Sequence, residues 1–314
     1  MGTPPITSSD TARINGRVSD PTGAAVPNAR LVLTQSDTKL SRVGTTGSEG
    51  FYEFVDISPG KYTLEAEAPG FRKEATSNIT LDVAQVLTLD LNLQLGTASD
   101  RVDVVASPVA LQTEDSQLGG VVENKAVNDL PLNGRDFSQL MVLLPGATEG
   151  TPGGKTGRHY AERVAGIAFS VNGQRSNYNE FLIDGFMAKE VQSGTAAVSP
   201  IIDSLLEFRV QSSDYSAQFG TESGGQINAV LKSGTNDLHG SLWEYLRNDA
   251  FDANNFFSNL SRQPKGEYRR NQFGAAAGGP VLLPKYNGRN RTFIYGAVED
   301  SRISPIRPNQ LHLP

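Results

Sequence analysis

Val171-Asn172-Gly173-Gln174-Arg175-Ser176-Asn177, Asn179-Glu180-Phe181-Leu182-Ile183-Asp184-Gly185 and Gly224-Gly225-Gln226-Ile227-Asn228-Ala229-Val230-Leu231-Lys232-Ser233-Gly234 are three phrases of one stretch. Short apolar runs alternate in it with Asn-Gly, Asp-Gly and Ser-Gly pairs, the chemistry of tight reversals and positive φ. Large apolar residues are scarce, and Asn, Gln and Gly fill the space between them. That mixture suits small strands built to sit inside something polar, more than a free-standing oily globule. Strands are expected over 168–172, 181–183 and 226–232. Between them Ile201, Leu205 and Phe208 share a helical face with Asp203 at its start, and 208–211 turns to strand.

Upstream, 124–130 and 135–144 read as short helices, the second with Phe137, Leu140, Met141 and Leu144 on one face. Pro145-Gly146 stops it. Two chemical motifs nearby are decoys. Gly153-Gly154-Lys155-Thr156 lacks the earlier glycine of a phosphate loop, and the repelling Glu149 stands in its place. His159-Tyr160-Ala161-Glu162 has the spacing of a zinc pair, but a catalytic zinc needs a third ligand and a base. Of the other histidines, His239 lies in a strand-like run and His312 in a Pro-rich tail. No catalytic residue, cofactor site or metal site is assigned, and no enzyme activity is expected.

Further back, alternation dominates. Ile14, Gly16 and Val18 alternate before the Asp20-Pro21-Thr22-Gly23 turn. Tyr62, Leu64, Ala66 and Ala68 alternate with Lys61, Thr63, Glu65 and Glu67. Leu87, Leu89, Leu91, Leu93 and Leu95 form the clearest run, expected as one half-buried antiparallel strand. Strands at this spacing suggest a sandwich of about seven. After a loosened Gly96 to Asp100, the β-prone run Arg101-Val102-Asp103-Val104-Val105-Ala106 follows.

The C-terminal segment holds three strand candidates, 238–247, 270–277 and 292–299, the first also compatible with a helix face through Leu238, Leu242 and Leu246. Trp243, Tyr245, Tyr268, Phe273, Phe293 and Tyr295 are of the kind that band a membrane barrel at its interfaces. A membrane barrel needs at least about eight strands. Residues 235–314 supply too few, so the chain is expected to be the front of a longer protein.

The totals exclude several classes. There are 28 basic and 34 acidic residues with no basic block, so nucleic-acid binding is not supported. With Cys 0, disulfides and thiolate chemistry are excluded. No apolar run approaches the ~20 residues of a membrane helix, and Met1 to Asp10 lacks the pattern of an export signal.

Several phrases carry family resemblances. Gly16-Arg17-Val18-Ser19-Asp20-Pro21, Gly50-Phe51-Tyr52-Glu53-Phe54 and Pro59-Gly60-Lys61-Tyr62-Thr63-Leu64 resemble the carboxypeptidase-regulatory-like domain, which implies a transthyretin- or CnaB-like sandwich. The first strand has Arg13 and Arg17 and no Lys, so the crosslink of some CnaB relatives is not expected.

Leu130-Pro131-Leu132-Asn133-Gly134-Arg135-Asp136-Phe137, Val171-Asn172-Gly173-Gln174-Arg175, Phe181-Leu182-Ile183-Asp184-Gly185, Glu207-Phe208-Arg209-Val210, Tyr215-Ser216-Ala217-Gln218-Phe219-Gly220 and Gly224-Gly225-Gln226-Ile227-Asn228 resemble, in order, the plug of Oar-like TonB-dependent outer-membrane receptors. Asn248-Asp249-Ala250 and Asn255-Phe256-Phe257 are similar to the same family.

The resemblance implies a mainly β chain in five parts: a disordered 1–12, a sandwich at 13–95, a linker at 96–120, an α+β plug at 121–234 and an incomplete barrel start at 235–314. It also implies energy-coupled uptake of an unidentified ligand at the outer membrane of a Gram-negative-type bacterium. The partner would be TonB with its inner-membrane energising complex. Arg101, Val102, Asp103, Val104, Val105 and Ala106 would be the TonB box, docked by strand addition, or else an ordinary closing strand. Asn133, Gly134, Arg135, Asn172, Gly173, Arg175, Asp184, Gly185, Gly224 and Gly225 would be the structural motifs of the plug. The alternative is a soluble periplasmic or cell-surface binding or adhesion module.

Overall fold

The computed structural model describes residues 10–96, 101–105, 118–123, 127, 132, 134–149, 169–190, 196–213, 215 and 222–304. The fold is mainly β, in three successive groups of sheets.

The first group is a sandwich. Its strands are β1 (Ala12–Ser19), β2 (Arg30–Gln35), β3 (Ser41–Thr45), β4 (Phe51–Ile57), β5 (Gly60–Glu67), β6 (Lys73–Leu81), β7 (Val86–Thr88), β8 (Leu91–Asn92) and β9 (Arg101–Val105). One sheet runs β4-β1-β7 with β8 also on β1, and the other runs β3-β2-β5-β6-β9. Ile14, Val18, Leu31, Leu33, Tyr52, Phe54, Leu64 and Leu81 fill the space between them. β1 begins inside the segment expected to be disordered.

The leucine run differs from expectation. It is broken into β7 and β8, and both pair parallel to β1. The break falls at Leu89-Asp90, where Asp90 Oδ1 accepts the Arg17 N–H at 2.8 Å and replaces a ladder bond. Leu87, Leu91 and Leu93 are buried, Leu89 partly, and Leu95 is exposed. At about 1.5–3 kcal/mol for each fully buried leucine, the gross gain is correspondingly smaller than five would supply. Gly16 is obligatory here, because a Cβ would lie 2.0 Å from the Leu89 carbonyl oxygen.

The second group has β10 (Leu118–Glu123), β11 (Ala147–Glu149), β12 (Phe169–Val171), β13 (Glu180–Ile183), β14 (Phe186–Met187), β15 (Leu205–Ser213) and β16 (Gln226–Leu231). The sheet order is β10-β15-β16-β13-β14, with β11-β12 apart. Phe137, Phe169, Phe181 and Phe208 pack in edge-to-face pairs on one side of it. This body therefore has an apolar core, contrary to the expectation of a purely lumen-filling polar one. The polar character is confined to the other face, where Arg209, Gln211, Gln226 and Asn228 are buried.

Two helix expectations are also corrected. Phe137–Leu143 forms a 3-10 helix, capped by Asp136, whose carboxylate accepts the Ser138 N–H at 3.0 Å. The 201–208 helix shrinks to one 3-10 turn, Ile202–Ser204, and strand begins at Leu205. Ile201, Leu205 and Phe208 keep a helical spacing, but β15 is buried on both faces and laddered to β10 and β16, and those pairings set the strand. Residues 124–130, other than 127, lie outside the described residues, as does the 150–157 loop.

The third group is a meander of β17 (His239–Asn248), β18 (Arg269–Pro280) and β21 (Phe293–Ser304), with the small hairpin β19 (Leu282–Leu283) and β20 (Tyr286–Asn287) between the last two. The helix reading of 238–247 is thus excluded. Register aligns Trp243 with Gly274 and Gly274 with Glu299. Period two then sorts the side chains: Leu242, Leu246, Phe273, Ile294 and Val298 are exposed on one face. Trp243, Tyr245 and Tyr295 lie on the other face and meet the second group. These three are not interfacial girdle aromatics; their register turns them toward the second group, the body expected to be the plug. The connection from β17 to β18 carries a 3-10 turn, Asp249–Phe251, and one short helix α1 (Phe256–Leu260).

Candidate functional site

The junction between the plug body and the first long strands is built around one turn. The Arg135 N–H returns to the Leu132 carbonyl at 3.3 Å, with Gly134 at φ 83. The positive φ of Gly134 favours glycine, and a Cβ there would lie 2.3 Å from Arg270 Nη1 and push that guanidinium aside. The exposed carbonyl of Gly134 accepts Arg270 Nη2 at 3.1 Å and Gln272 Nε2 at 3.4 Å. The next residue, Arg135, holds φ 55 and points its guanidinium across the junction.

Arg135 donates from Nε to Glu299 Oε2 at 3.1 Å and from Nη2 to the Asp203 carboxylate. Its guanidinium carbon sits 4.4 Å from the Tyr245 ring centroid and 5.4 Å from that of Trp243. Trp243 Nε1 donates to Glu299 Oε2 at 2.9 Å, and Gln272 Nε2 to Glu299 Oε1 at 3.4 Å. The Tyr295 hydroxyl donates to the Asp203 carbonyl at 2.9 Å.

One cation thus joins a carboxylate of the plug to a carboxylate of β21, with aromatic walls that exclude water and strengthen the attraction. Nearby, burial lowers the basicity of the Lys232 amine, while Asp203 opposes that shift. The arrangement can hold two bodies together and release them when the pairs are broken.

A second junction ties the sandwich to the plug body. The Glu207 carboxylate accepts the Val83 N–H. Arg209 Nη1 donates to the carbonyls of Ala84 at 3.0 Å and Val83 at 3.3 Å. The i, i+2 spacing on β15 places both side chains on one face, where they grip the turn leading out of β6. Val83 is fully buried, and Glu207 and Arg209 nearly so.

The other singled-out residues serve the plug body internally. Asp184 Oδ1 accepts the Leu231 N–H at 2.9 Å. The Gly224 N–H donates to the Tyr178 carbonyl at 2.8 Å and the Gly225 N–H to Asn179 Oδ1 at 2.9 Å. Asn172 Nδ2 donates to the Ser212 carbonyl at 2.8 Å, and Asn172, Gly173 and Gly185 all take positive φ in turns. Arg175 is exposed and precedes a 3-10 turn at Ser176–Tyr178.

Arg101–Val105 forms β9, parallel to β6. Asn133, Ala106, His159 and Glu162 lie outside the described residues. His239 stacks on Tyr295, and among the described residues no group of His, Asp and Glu could hold a metal ion. Asp203, Glu207, Arg209, Trp243, Tyr245 and Glu299 were not assigned these roles from sequence. Only the inward register of Glu299 with Tyr295, visible as period two, could have pointed to one of them.

Comparison with known proteins places these junctions in context. Residues 13–94 match the carboxypeptidase regulatory-like domain and residues 230–314 an outer membrane beta barrel domain. Over 278 residues, 82% of the chain, it is 26% identical to the TonB-dependent transporter Oar of Myxococcus xanthus. The chain is similar to a TonB-dependent transporter over most of its length.

The chain spans 24% of the length of that relative. Among solved structures, it is 13% identical to the outer membrane transporter YddB of Escherichia coli, covering 52% of this chain and 24% of that one, TM-score 0.42. The ferric enterobactin receptor of Pseudomonas aeruginosa is 17% identical, covering 54% and 23%, TM-score 0.38.

Proposed function

We propose that this chain forms the N-terminal part of a TonB-dependent outer-membrane receptor that couples energy to uptake through a plugged β-barrel. The observation that carries this reading is the Arg135 junction, which fixes the plug body to the inward face of β17, β18 and β21. In this reading the sandwich of 13–95 takes in β9 from the linker, the plug of 121–234 takes in β10 from Leu118, and 235–314 is the start of the barrel. Leu242, Leu246, Ile294 and Val298, exposed on the opposite face, would meet lipid.

Ligand would bind from outside, and residues 101–106 would serve as the TonB box on the periplasmic side. Main-chain bonds of an added strand supply affinity there with little demand on side chains. Pulling on that segment would transmit force to the plug and break the Arg135 pairs.

The test is a pull-down of the periplasmic part of TonB by a peptide covering Arg101 to Ala106. Capture is expected, with loss on Val104→Pro, since proline lacks the N–H of a ladder bond. Capture by the proline peptide at equal strength would exclude strand addition. Failure of the parent peptide would exclude this segment as the TonB box.

A further inference from the structure

The segment assigned to TonB is not a free tail. β9 is the terminal strand of the sandwich sheet, paired in register from Lys73↔Arg101 to Ser77↔Val105. Among the described residues, its other edge carries no strand. Beside it on the sheet surface is a groove of about 270 Å³ lined by Arg72, Glu74, Asn92, Gln94 and Val104. Val104 is half-exposed and the Asn92 side chain is exposed.

We infer that the sandwich and β9 together form one composite docking edge, to which a strand of the periplasmic part of TonB adds while β9 stays bound to β6. This rests on the reading of residues 101–106 as the TonB box. A strand already held in extended form has lost its conformational freedom before the partner arrives, so less ordering opposes binding. The outer edge of β9, unpaired among the described residues, would supply the main-chain bonds, and the groove lined in part by Val104 would take side chains from one face of the incoming strand, which is how strand addition acquires specificity. The occupant is set by position. β9 joins the sandwich to the plug body, so a partner held on it pulls on both at once. The sandwich is in turn gripped by Glu207 and Arg209, which keeps the edge at a fixed place on the plug.

The absence of cysteine permits a direct test. Ser77→Cys with Val105→Cys places two thiols on register partners of adjacent strands, about 4.8 Å apart at Cα. In the full chain this pair is expected to oxidise and to lock β9 on β6. The oxidised protein should then bind the periplasmic part of TonB within about threefold of the reduced protein. Binding that is about tenfold or more weaker when oxidised, and restored by reductant, overturns the inference while leaving the TonB-box reading intact. Failure of the pair to oxidise also overturns it. No binding by either form, together with none by the 101–106 peptide, overturns both. As a second variant, Asn92→Trp fills the groove from an exposed position without touching the ladder. It should weaken binding by about fivefold or more. Unchanged affinity would remove the groove from the docking edge.

Discussion

Arg135 Nε lies 3.1 Å from Glu299 Oε2, joining a plug turn to a strand 164 residues further along the chain. Both side chains are largely withdrawn from solvent, at 9% and 16% exposure. Breaking such a pair from one side leaves carboxylates buried without their cation, which costs about 3–5 kcal/mol. Here Asp203 and Glu299 would both be left.

Arg135→Met should therefore loosen the plug more than Glu299→Gln, which retains an acceptor for Trp243 and Arg135. The check is the urea concentration at which the plug of the membrane-embedded receptor becomes cleavable by protease. A double-mutant cycle with Asp203→Asn should give a coupling of about 0.5–3 kcal/mol. Additive effects would mean that Arg135 does not join the two bodies.

The clasp on the sandwich gives a local prediction. The Val83 N–H is held by Glu207, and its carbonyl by Arg209. Glu207→Ala should speed exchange of the Val83 amide about tenfold or more, corresponding to about 1.4 kcal/mol of lost protection. Amides within the β1–β4 pairing should not change, since the clasp lies outside the sandwich core. Uniform loss across the sandwich would show instead that Glu207 stabilises the whole domain.

β1 and β5 were legible because one face of each is buried, which imposes period two on Ile14, Gly16 and Val18 and on Tyr62, Leu64 and Ala66, whereas β3, with no buried residue, carries no such pattern. Period two does not encode a neighbour's direction. The leucine run was therefore readable as a strand, but its parallel pairing and its break at Asp90 were not. In β15 two periods compete: Glu207 to Gln211 alternate polar and apolar, while Ile201, Leu205 and Phe208 keep the spacing of a helix face, and strand already begins at Leu205. Trp243, Tyr245 and Tyr295 share a face only through the register of β17, β18 and β21, which the sequence does not encode locally. The Arg135 cluster depends on contacts between residues far apart in sequence, and no local pattern announces it.

Glu74, in β6 beside the groove, offers a pH test. Burial raises its carboxyl above the ordinary 4.5, because the charged form loses hydration. The fold thus favours the neutral acid. Stability from this group is full below the ordinary value and is lost as pH rises through the raised one. Glu74→Gln should raise the melting temperature at pH 7 and leave it unchanged at about pH 4. An equal shift at both pH values would mean that packing, not ionisation, is responsible.

The outward face of the meander makes a depth-dependent prediction. Register places Leu246 in one row with Asn271 and Arg302, while Leu242 is level with Ala275 and Val298. The first row is polar and the second wholly apolar, which suits a membrane boundary above and hydrocarbon below. An arginine facing lipid costs about 2–4 kcal/mol at the midplane and about 0–1 near an interface. Leu242→Arg should accordingly lower the urea midpoint of the receptor in lipid vesicles far more than Leu246→Arg. Both leucines are highly exposed in the isolated chain, so in water neither substitution would be costly. Equal, small effects at the two sites would place this face in water and remove the lipid-facing role from β17.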